Sequence, residues 1–261
     1  MRTLTPYSKL TSQQKQQILD AFKGGMECRD IPNHLGVSGR AVPKVLTSAG
    51  INTKRRNRYT LNESYFDVID SEVKAYLLGL IAADGCVTTT NYVAFESIDK
   101  ELTELLRDSL EYSGEIRIVK PQGYAPHYRI NFSSPRLASA LRSYSIVAGR
   151  TFSGAYYFPK AEYLAAYVLG YFDGDGCAYV NKGRSGGLVC IVGSFEFTCE
   201  LARCLEMGRV EEHTSKKVYY WKIYSRKNIE AFYSLLYKHQ FLGLQRKKKK
   251  IEEILGSYRR G

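Results

Sequence analysis

The chain reads Leu77-Leu78-Gly79-Leu80-Ile81-Ala82-Ala83-Asp84-Gly85 and, further on, Val168-Leu169-Gly170-Tyr171-Phe172-Asp173-Gly174-Asp175-Gly176. Both segments are apolar, and in each an aspartate precedes the final glycine, so that Asp84 and Asp175 lie 91 positions apart. Small residues recur four positions apart in both copies, which places them on one face of a helix. Two such helices can pack backbone to backbone, and their last turns then bring two carboxylates together. Carboxylates paired in this way are typical of a divalent-metal site.

These segments resemble the LAGLIDADG motif of homing endonucleases, with Asp84 and Asp175 at the position of that family's metal-binding acid. A single copy would have a simpler explanation, because an apolar helix ending in Asp-Gly is usually a core helix with a glycine cap. Two copies at a domain-sized spacing favour the family. The resemblance implies bound Mg²⁺, for which Mn²⁺ can substitute, and no organic cofactor. It also implies that the backbone carbonyls of Ala83 and Gly174 contribute metal ligands.

The distribution of charge indicates a polyanionic partner. The 261 residues carry a net charge of +12, with a sequence pI near 9.3. Residues 1–58 carry a net +8, residues 59–155 a net −3 and residues 156–261 a net +7. Positive charge concentrated at the two ends of the chain favours nucleic acid over a general role in solubility.

The sequence predicts an intracellular protein without a membrane anchor. It has no apolar run of transmembrane length and no apolar segment near its start. The six cysteines are scattered, which is typical of reduced thiols rather than of a zinc site or disulfide framework. With the family resemblance, we expect the cytoplasm or nucleoid of a bacterial or phage-infected cell, or an organelle matrix.

The first 58 residues are expected to form a helix-turn-helix domain and a basic linker. Three short helices are predicted over residues 12–22, 30–35 and 39–49, with Ser38 as the N-cap of the third. The stretch from Ile31 to Val42 resembles the helix-turn-helix of recombinases and transcriptional regulators. Pro43 departs from that pattern and predicts a kink. The expected DNA contacts are Arg40 and Lys44 in the third helix, and Lys54, Arg55, Arg56 and Arg58 in the linker.

The remaining chain has an α+β (mixed α/β) pattern that occurs twice, in residues 59–155 and 156–261. Each half has the predicted order α-β-β-α-β-β-α, which is the plan of the LAGLIDADG domain. The resemblance implies two pseudo-symmetric antiparallel sheets that form a saddle for DNA, with the motif helices between them. Strand alternation independently places polar and aromatic side chains on the non-core face, and the loop 182–187 adds basic residues. The expected DNA contacts are Arg117, Arg129, Asn131, Lys182, Arg184, Tyr220, Lys222 and Tyr224.

Family sites also use a basic residue near the end of each repeat. Arg150 holds that position in the first repeat, and either Arg246 or Lys247 holds it in the second. Glu96 matches a polar position of the family's water network, and Gly193 is taken as its equivalent in the second repeat. The acid Asp173 has no counterpart in the first repeat, and we expect it to face outward or to cap a neighbouring element.

The interpretation that follows is a monomeric endonuclease that makes a Mg²⁺-dependent double-strand cut in a long, asymmetric DNA target. Two alternatives remain open at this point. The first is a DNA-binding transcription regulator that has lost cleavage, and the second is an RNA maturase that binds intron RNA on the same scaffold. The presence of both acids disfavours the first, and the sequence alone does not decide on the second.

Overall fold

A computed structural model describes residues 4–51, 59–123, 125–149, 154–214, 217–237 and 242–258. The chain divides into two compact units, Met1–Arg58 and Tyr59–Gly261. None of the helices in the described ranges is both long and apolar enough to cross a membrane.

In its described residues, the first unit contains the α-helices α1 (Ser12–Lys23), α2 (Ile31–Leu35) and α3 (Ala41–Ser48), and a 3₁₀ turn at Tyr7–Lys9 precedes α1. Thr11 caps α1 and forms a reciprocal capping box with Gln14, which satisfies two backbone donors that a helix start leaves unpaired. The small core of this unit contains fully buried apolar side chains, among them Ile18, Ile31, Val42 and Leu46.

Two local predictions for this unit were wrong. The N-cap residue of α3 is Arg40 rather than Ser38, and it makes no side-chain cap hydrogen bond. Pro43 does not interrupt the helix, because it is the third residue of α3. In that first turn a backbone N–H has no partner within the helix, so the missing donor of proline costs nothing.

The second unit repeats one order of elements twice. Its first half contains α4 (Glu72–Asp84), β1 (Gly85–Val87), β2 (Tyr92–Ser97), α5 (Lys100–Ser109), β3 (Arg117–Val119), β4 (His127–Ser133) and α6 (Pro135–Ser143). Its second half contains α7 (Ala161–Asp175), β5 (Gly176–Val180), β6 (Gly187–Gly193), α8 (Phe195–Leu205), β7 (Arg209–Glu212), β8 (Tyr219–Ile223), α9 (Arg226–Leu236) and α10 (Gln245–Ser257). The predicted order α-β-β-α-β-β-α is therefore present in both halves.

Each half forms a four-stranded antiparallel sheet. The strand orders are β1-β2-β4-β3 and β5-β6-β8-β7, so the two sheets have the same topology. The predicted α+β class is confirmed.

The motif helices α4 and α7 pack directly against each other through their glycines. A Cβ added to Gly79 would collide with the backbone carbonyl of Tyr167, and a Cβ added to Gly170 would collide with that of Tyr76. Both helices are buried over most of their length. Glycine is required at these two positions because the backbones touch there, and this contact fixes where the two helix ends lie.

Replacing Gly79 or Gly170 by alanine should destabilise the second unit by at least about 2 kcal/mol each, since neither backbone can move away from the added methyl group. The matched control is Gly256→Ala in α10, where a Cβ meets no atom within 4 Å and helix propensity predicts a gain of about 0.5–1 kcal/mol. Urea denaturation of the three variants measures these changes. Equal free energies of unfolding for Gly79→Ala and the native chain would contradict this packing.

Candidate active site

The aspartates of the repeated motif end the two motif helices. Asp84 is the last residue of α4 and Asp175 the last residue of α7, and a strand begins immediately after each. The helix ends abut, since a Cβ on Gly174 would strike the Cβ of Ala83 and would lie 3.0 Å from Asp84 Oδ2. The packing of α4 on α7 thus places the Asp84 carboxylate beside the end of the opposite helix, as the repeated small residues predicted.

A pocket of about 300 Å³ opens beside Asp84. Asp84 as a whole residue is exposed, but its carboxyl faces the pocket, where loss of solvation raises its pKa to about 6. Asp99 adds to that rise, while Lys247 and His127 oppose it. The pocket is lined by Asp84, Glu96, Ser97, Ile98, Asp99, His127, Asp173, Gly174 and Arg246. Acidic and basic groups from both repeats therefore meet at one end of α4.

Glu96 is held by two basic side chains of β4. His127 Nδ1 lies 3.0 Å from Glu96 Oε1, and Arg129 Nε donates to Glu96 Oε2 at 2.6 Å. The predicted equivalence of Glu96 with Gly193 was wrong. Gly85 and Gly176, which follow the two motif aspartates, pair with Phe95 and Ile191. The next residues along these strands are Glu96 and Val192, so Val192 holds the place of Glu96. His127 was missed because only the pairing of distant strands brings it into the site.

Lys247 is buried at the C-terminal end of α7 instead of projecting into open solvent. Its side-chain ammonium donates to the carbonyl oxygens of Phe172, Asp173, Gly174 and Gly176 at 2.6, 2.7, 3.1 and 2.8 Å. These are carbonyls at the negative end of the helix, where a cation is favourable. Burial lowers the pKa of Lys247 to about 8, while Asp173 and Asp84 oppose that shift. The Gly174 carbonyl, an expected metal ligand, already accepts this hydrogen bond.

Arg246, the other basic candidate, connects the two repeats. Its guanidinium donates to both carboxylate oxygens of Asp99 at 2.8 and 2.5 Å, and Asp99 is the residue at the N-cap position of α5 in the first repeat. Such a bidentate pair fixes the orientation of both side chains. Arg246 thus lines the Asp84 pocket from the opposite repeat. Arg150 lies outside the described residues.

Of the two arrangements expected for Asp173, facing outward is not the one found. It is 2% exposed, and its Oδ2 accepts hydrogen bonds from the Tyr76 hydroxyl at 2.8 Å and from the Leu244 backbone N–H at 2.9 Å. Leu244 is the N-cap residue of α10, so the expected capping of a neighbouring element is what the structure shows. Within the described ranges, Asp173 Oδ1 and the Tyr237 hydroxyl are buried without a hydrogen-bond partner.

The buried Asp173 should make stability depend on pH. Burial raises its pKa from 3.8 to about 6, against the opposing effect of its hydrogen bonds. The folded state then binds the proton more tightly than the unfolded state, so the free energy of unfolding falls as pH rises from about 4 to about 6. Asp173→Asn should flatten this fall, which denaturation midpoints at pH 4.5 and 7 would measure. Asp108→Asn, an exposed acid on α5, is the control, and an unchanged slope in Asp173→Asn would contradict this assignment.

The side chains predicted to contact DNA lie on the sheet faces opposite the core. In β4, Arg129 and Asn131 alternate with the buried Ile130 and Phe132. Arg117 on β3 pairs with Arg129 and therefore lies on the same face of the sheet. In the second sheet, the corresponding side chains are Tyr220, Lys222 and Tyr224, of which Lys222 and Tyr224 bond to Glu211 at 2.8 and 3.0 Å. Lys182 and Arg184 are exposed at the β5–β6 turn. The linker residues Lys54, Arg55, Arg56 and Arg58 lie outside the described residues.

The donor atoms present fit a magnesium ion shared with a substrate. Within the described ranges, no three His, Cys, Asp or Glu side chains cluster in a way that could hold a metal by themselves. Mg²⁺ usually takes one or two protein carboxylates and completes its shell with water and substrate phosphates. The Asp84 carboxylate beside the end of α7 supplies the hard oxygen ligand that such a shared site requires.

Comparison with known proteins gives one family-model match and several similar solved structures. Residues 162–237 match the family model of the LAGLIDADG-like domain, and they span α7 to the end of α9. The structure of the I-LtrWI LAGLIDADG homing endonuclease bound to target DNA is similar, with a TM-score of 0.51 and 15% identity over 76% of this chain and 92% of that chain. The LAGLIDADG meganuclease I-AabMI bound to uncleaved DNA has a TM-score of 0.49 and 16% identity over 69% of this chain and 88% of that chain. Comparison with curated protein sequences gives no significant match. The likeness to I-LtrWI shows the fold.

Proposed function

We propose that this chain is a homing endonuclease of the LAGLIDADG family that makes a Mg²⁺-dependent double-strand cut in DNA. One observation carries the proposal. Two aspartates end two helices that touch backbone to backbone, and a polar pocket opens beside the first of them. A pair of carboxylates at such a junction is suited to phosphodiester hydrolysis at two neighbouring phosphates.

Each protein group has a role in that reaction. Bound Mg²⁺ would lower the pKa of a coordinated water and stabilise negative charge on the phosphate. Asp84 and Asp175 would each hold Mg²⁺ at one of two half-sites, the parts of the active site at the ends of α4 and α7. Arg246 and Lys247 would contribute positive charge near the phosphates. Lys247 would do so from within the helix end that it caps, since its ammonium already has four carbonyl acceptors.

We infer that the target is long and not a palindrome, and that one chain suffices to bind it. The strand pairing makes Arg129 equivalent to Tyr220 and Asn131 equivalent to Lys222. Since these pairs differ in charge and hydrogen-bonding groups, the two sheets would read different base edges. Because one chain supplies both repeats, a monomer would contain the complete site. The protein would act wherever its target DNA lies inside a cell or organelle.

The N-terminal unit would add contacts beyond the two sheets. Arg40 and Lys44 are exposed at the start of α3, and the Lys44 ammonium lies 5.6 Å from the centre of the Tyr7 ring. A double replacement, Arg40→Ala with Lys44→Ala, should reduce the salt dependence of DNA affinity by about two released counterions. Fluorescence anisotropy at several salt concentrations measures this slope. A matched double change at Lys9 and Lys23 is the control, and an unchanged slope for Arg40/Lys44 would remove this unit from the interface.

Two other functions use the same scaffold. A regulator would bind duplex DNA without cutting, and a maturase would prefer intron RNA. The test incubates the full chain, with Mg²⁺, with the duplex formed by rejoining the gene's flanking sequences and, separately, with the intron RNA. A discrete cut in the duplex supports the endonuclease. Tight duplex binding without a cut favours the regulator, and preferential RNA binding favours the maturase.

A further inference from the structure

The Glu96 cluster, formed by Glu96, His127 and Arg129, is a polar feature of the first sheet. Glu96 lies on β2, and the other two residues lie on the adjacent strand β4. One carboxylate oxygen lies 3.0 Å from His127 Nδ1, and the other accepts from Arg129. With Nδ1 engaged, Nε2 is the ring nitrogen left for a water or a substrate.

This cluster belongs to the pocket beside Asp84. Both Glu96 and His127 line that pocket, and their side chains are 24% and 32% exposed. Partial burial therefore holds both side chains in one arrangement, and their exposed part can contact a substrate. Electrostatic interaction between His127 and Asp84 also indicates that the ring lies near the carboxylate.

The second repeat has no such cluster at the corresponding positions. Strand register places Val192 where Glu96 stands and Tyr220 where Arg129 stands. Val218 takes the place of His127. Val218 lies as many residues before Ser225 as His127 lies before Ser134, and these two serines cap the helices that follow. An acid, an imidazole and a guanidinium are thus replaced by two apolar side chains and a phenol.

A histidine does occur on the same rung of the second hairpin, but on the other strand. His213 donates its backbone N–H to the Val218 carbonyl at 3.0 Å, and its ring stacks on Tyr220 with centroids 5.7 Å apart. In the first repeat the partner of His127 is Val119. The two repeats therefore differ in the strand that carries the imidazole and in the side chain that orients it.

We propose that His127 contacts the attacking water at the half-site of Asp84, with Glu96 as the residue that positions its ring, and that the half-site of Asp175 works without this pair. The inference rests on the proposed endonuclease function. In the reaction, the water oxygen bonds to phosphorus and the bond from phosphorus to O3′ breaks. The water gives up a proton to solvent and O3′ takes one. His127 and Glu96 fix the direction of attack on one strand only, so the two strands are cut at different rates.

The test is single-turnover cleavage of a target duplex that carries a different fluorescent label on each strand. His127→Ala should slow cutting of one strand by about 10-fold to 100-fold, and the other strand should change less than about twofold. Glu96→Ala should slow the same strand, and Glu96→Gln should recover part of the rate because the amide still accepts a hydrogen bond from the ring. Val218→Ala, at the corresponding position of the second repeat, is the control.

Two further measurements separate positioning from damage to the fold. DNA affinity in Ca²⁺ and the thermal midpoint should be unchanged in His127→Ala and Glu96→Gln. Equal slowing of both strands, or no slowing of either, overturns the assignment while leaving the endonuclease function intact. A native chain that cuts neither strand overturns both proposals.

Discussion

Replacing both Asp84 and Asp175 by alanine is expected to reduce double-strand cleavage by at least roughly 10³-fold, because loss of metal-mediated charge stabilisation costs several kcal/mol. Each single replacement should remove one half-site. Asp84→Ala and Asp175→Ala should therefore nick opposite strands. Denaturing gels with each strand labelled separately resolve these products.

The control for this prediction is Asp108→Ala, since Asp108 is exposed on α5 and contacts Arg107 rather than the pocket. DNA binding by the double variant should persist, because the sheet faces are untouched. Cleavage of both strands by the Asp84/Asp175 double variant at the native rate would remove these residues from the chemistry. Loss of binding together with cleavage would show that the change had disrupted the fold instead.

The second large effect is expected at Lys247. Lys247→Met keeps most of the side-chain volume but removes the ammonium that binds four carbonyl oxygens at the end of α7. It also leaves the buried Asp173 without its nearby positive charge. Removing one partner of buried, mutually compensating charges typically costs about 3–5 kcal/mol, and urea denaturation at pH 7 measures the loss.

Lys249→Met is the matched control on the same helix, because Lys249 is exposed and should change stability by less than about 0.5 kcal/mol. Stability also supplies an independent check. The pKa of Lys247 is lowered to about 8, so the unfolded state binds the proton more tightly, and the free energy of unfolding should rise with pH between about 8 and 10. Equal stability of Lys247→Met and the native chain would rule out the capping role.

The motif helices could be predicted because their pattern is local. Small residues four positions apart specify a close helix contact, and Gly79 and Gly170 lie at that contact. The alternation of strands such as β4 was equally visible, since Ile130 and Phe132 face the core while their neighbours do not. In both cases the physical cause lies within one segment of the chain.

The rest of the site depends on contacts between distant segments. Lys247 lies within the basic run Arg246–Lys250, a pattern typical of a solvated helix face, yet the end of α7 buries it. Asp173 belongs to an apolar helix, and only the packing of α4 and α10 supplies its two donors. No periodicity within α7 or α10 carries that information.

The mistaken equivalence of Glu96 with Gly193 has a similar cause. A serine follows each of the two positions in the sequence, but Ser97 ends β2 whereas Ser194 caps α8. Backbone pairing instead matches Glu96 with Val192. The corrected match has a chemical consequence, because the first repeat has a carboxylate at this position and the second repeat has an apolar side chain.

The most direct test of the central claim begins with a complex of the full chain and its rejoined flanking duplex, assembled in EDTA, to which Mg²⁺ in excess over the chelator is then added. Samples taken over time on a denaturing gel follow both strands. The proposed site predicts that both strands stay intact until Mg²⁺ is added and that each is then cut at one discrete position. A complex that remains bound and uncut after Mg²⁺ is added would contradict the assignment of this chain as an endonuclease.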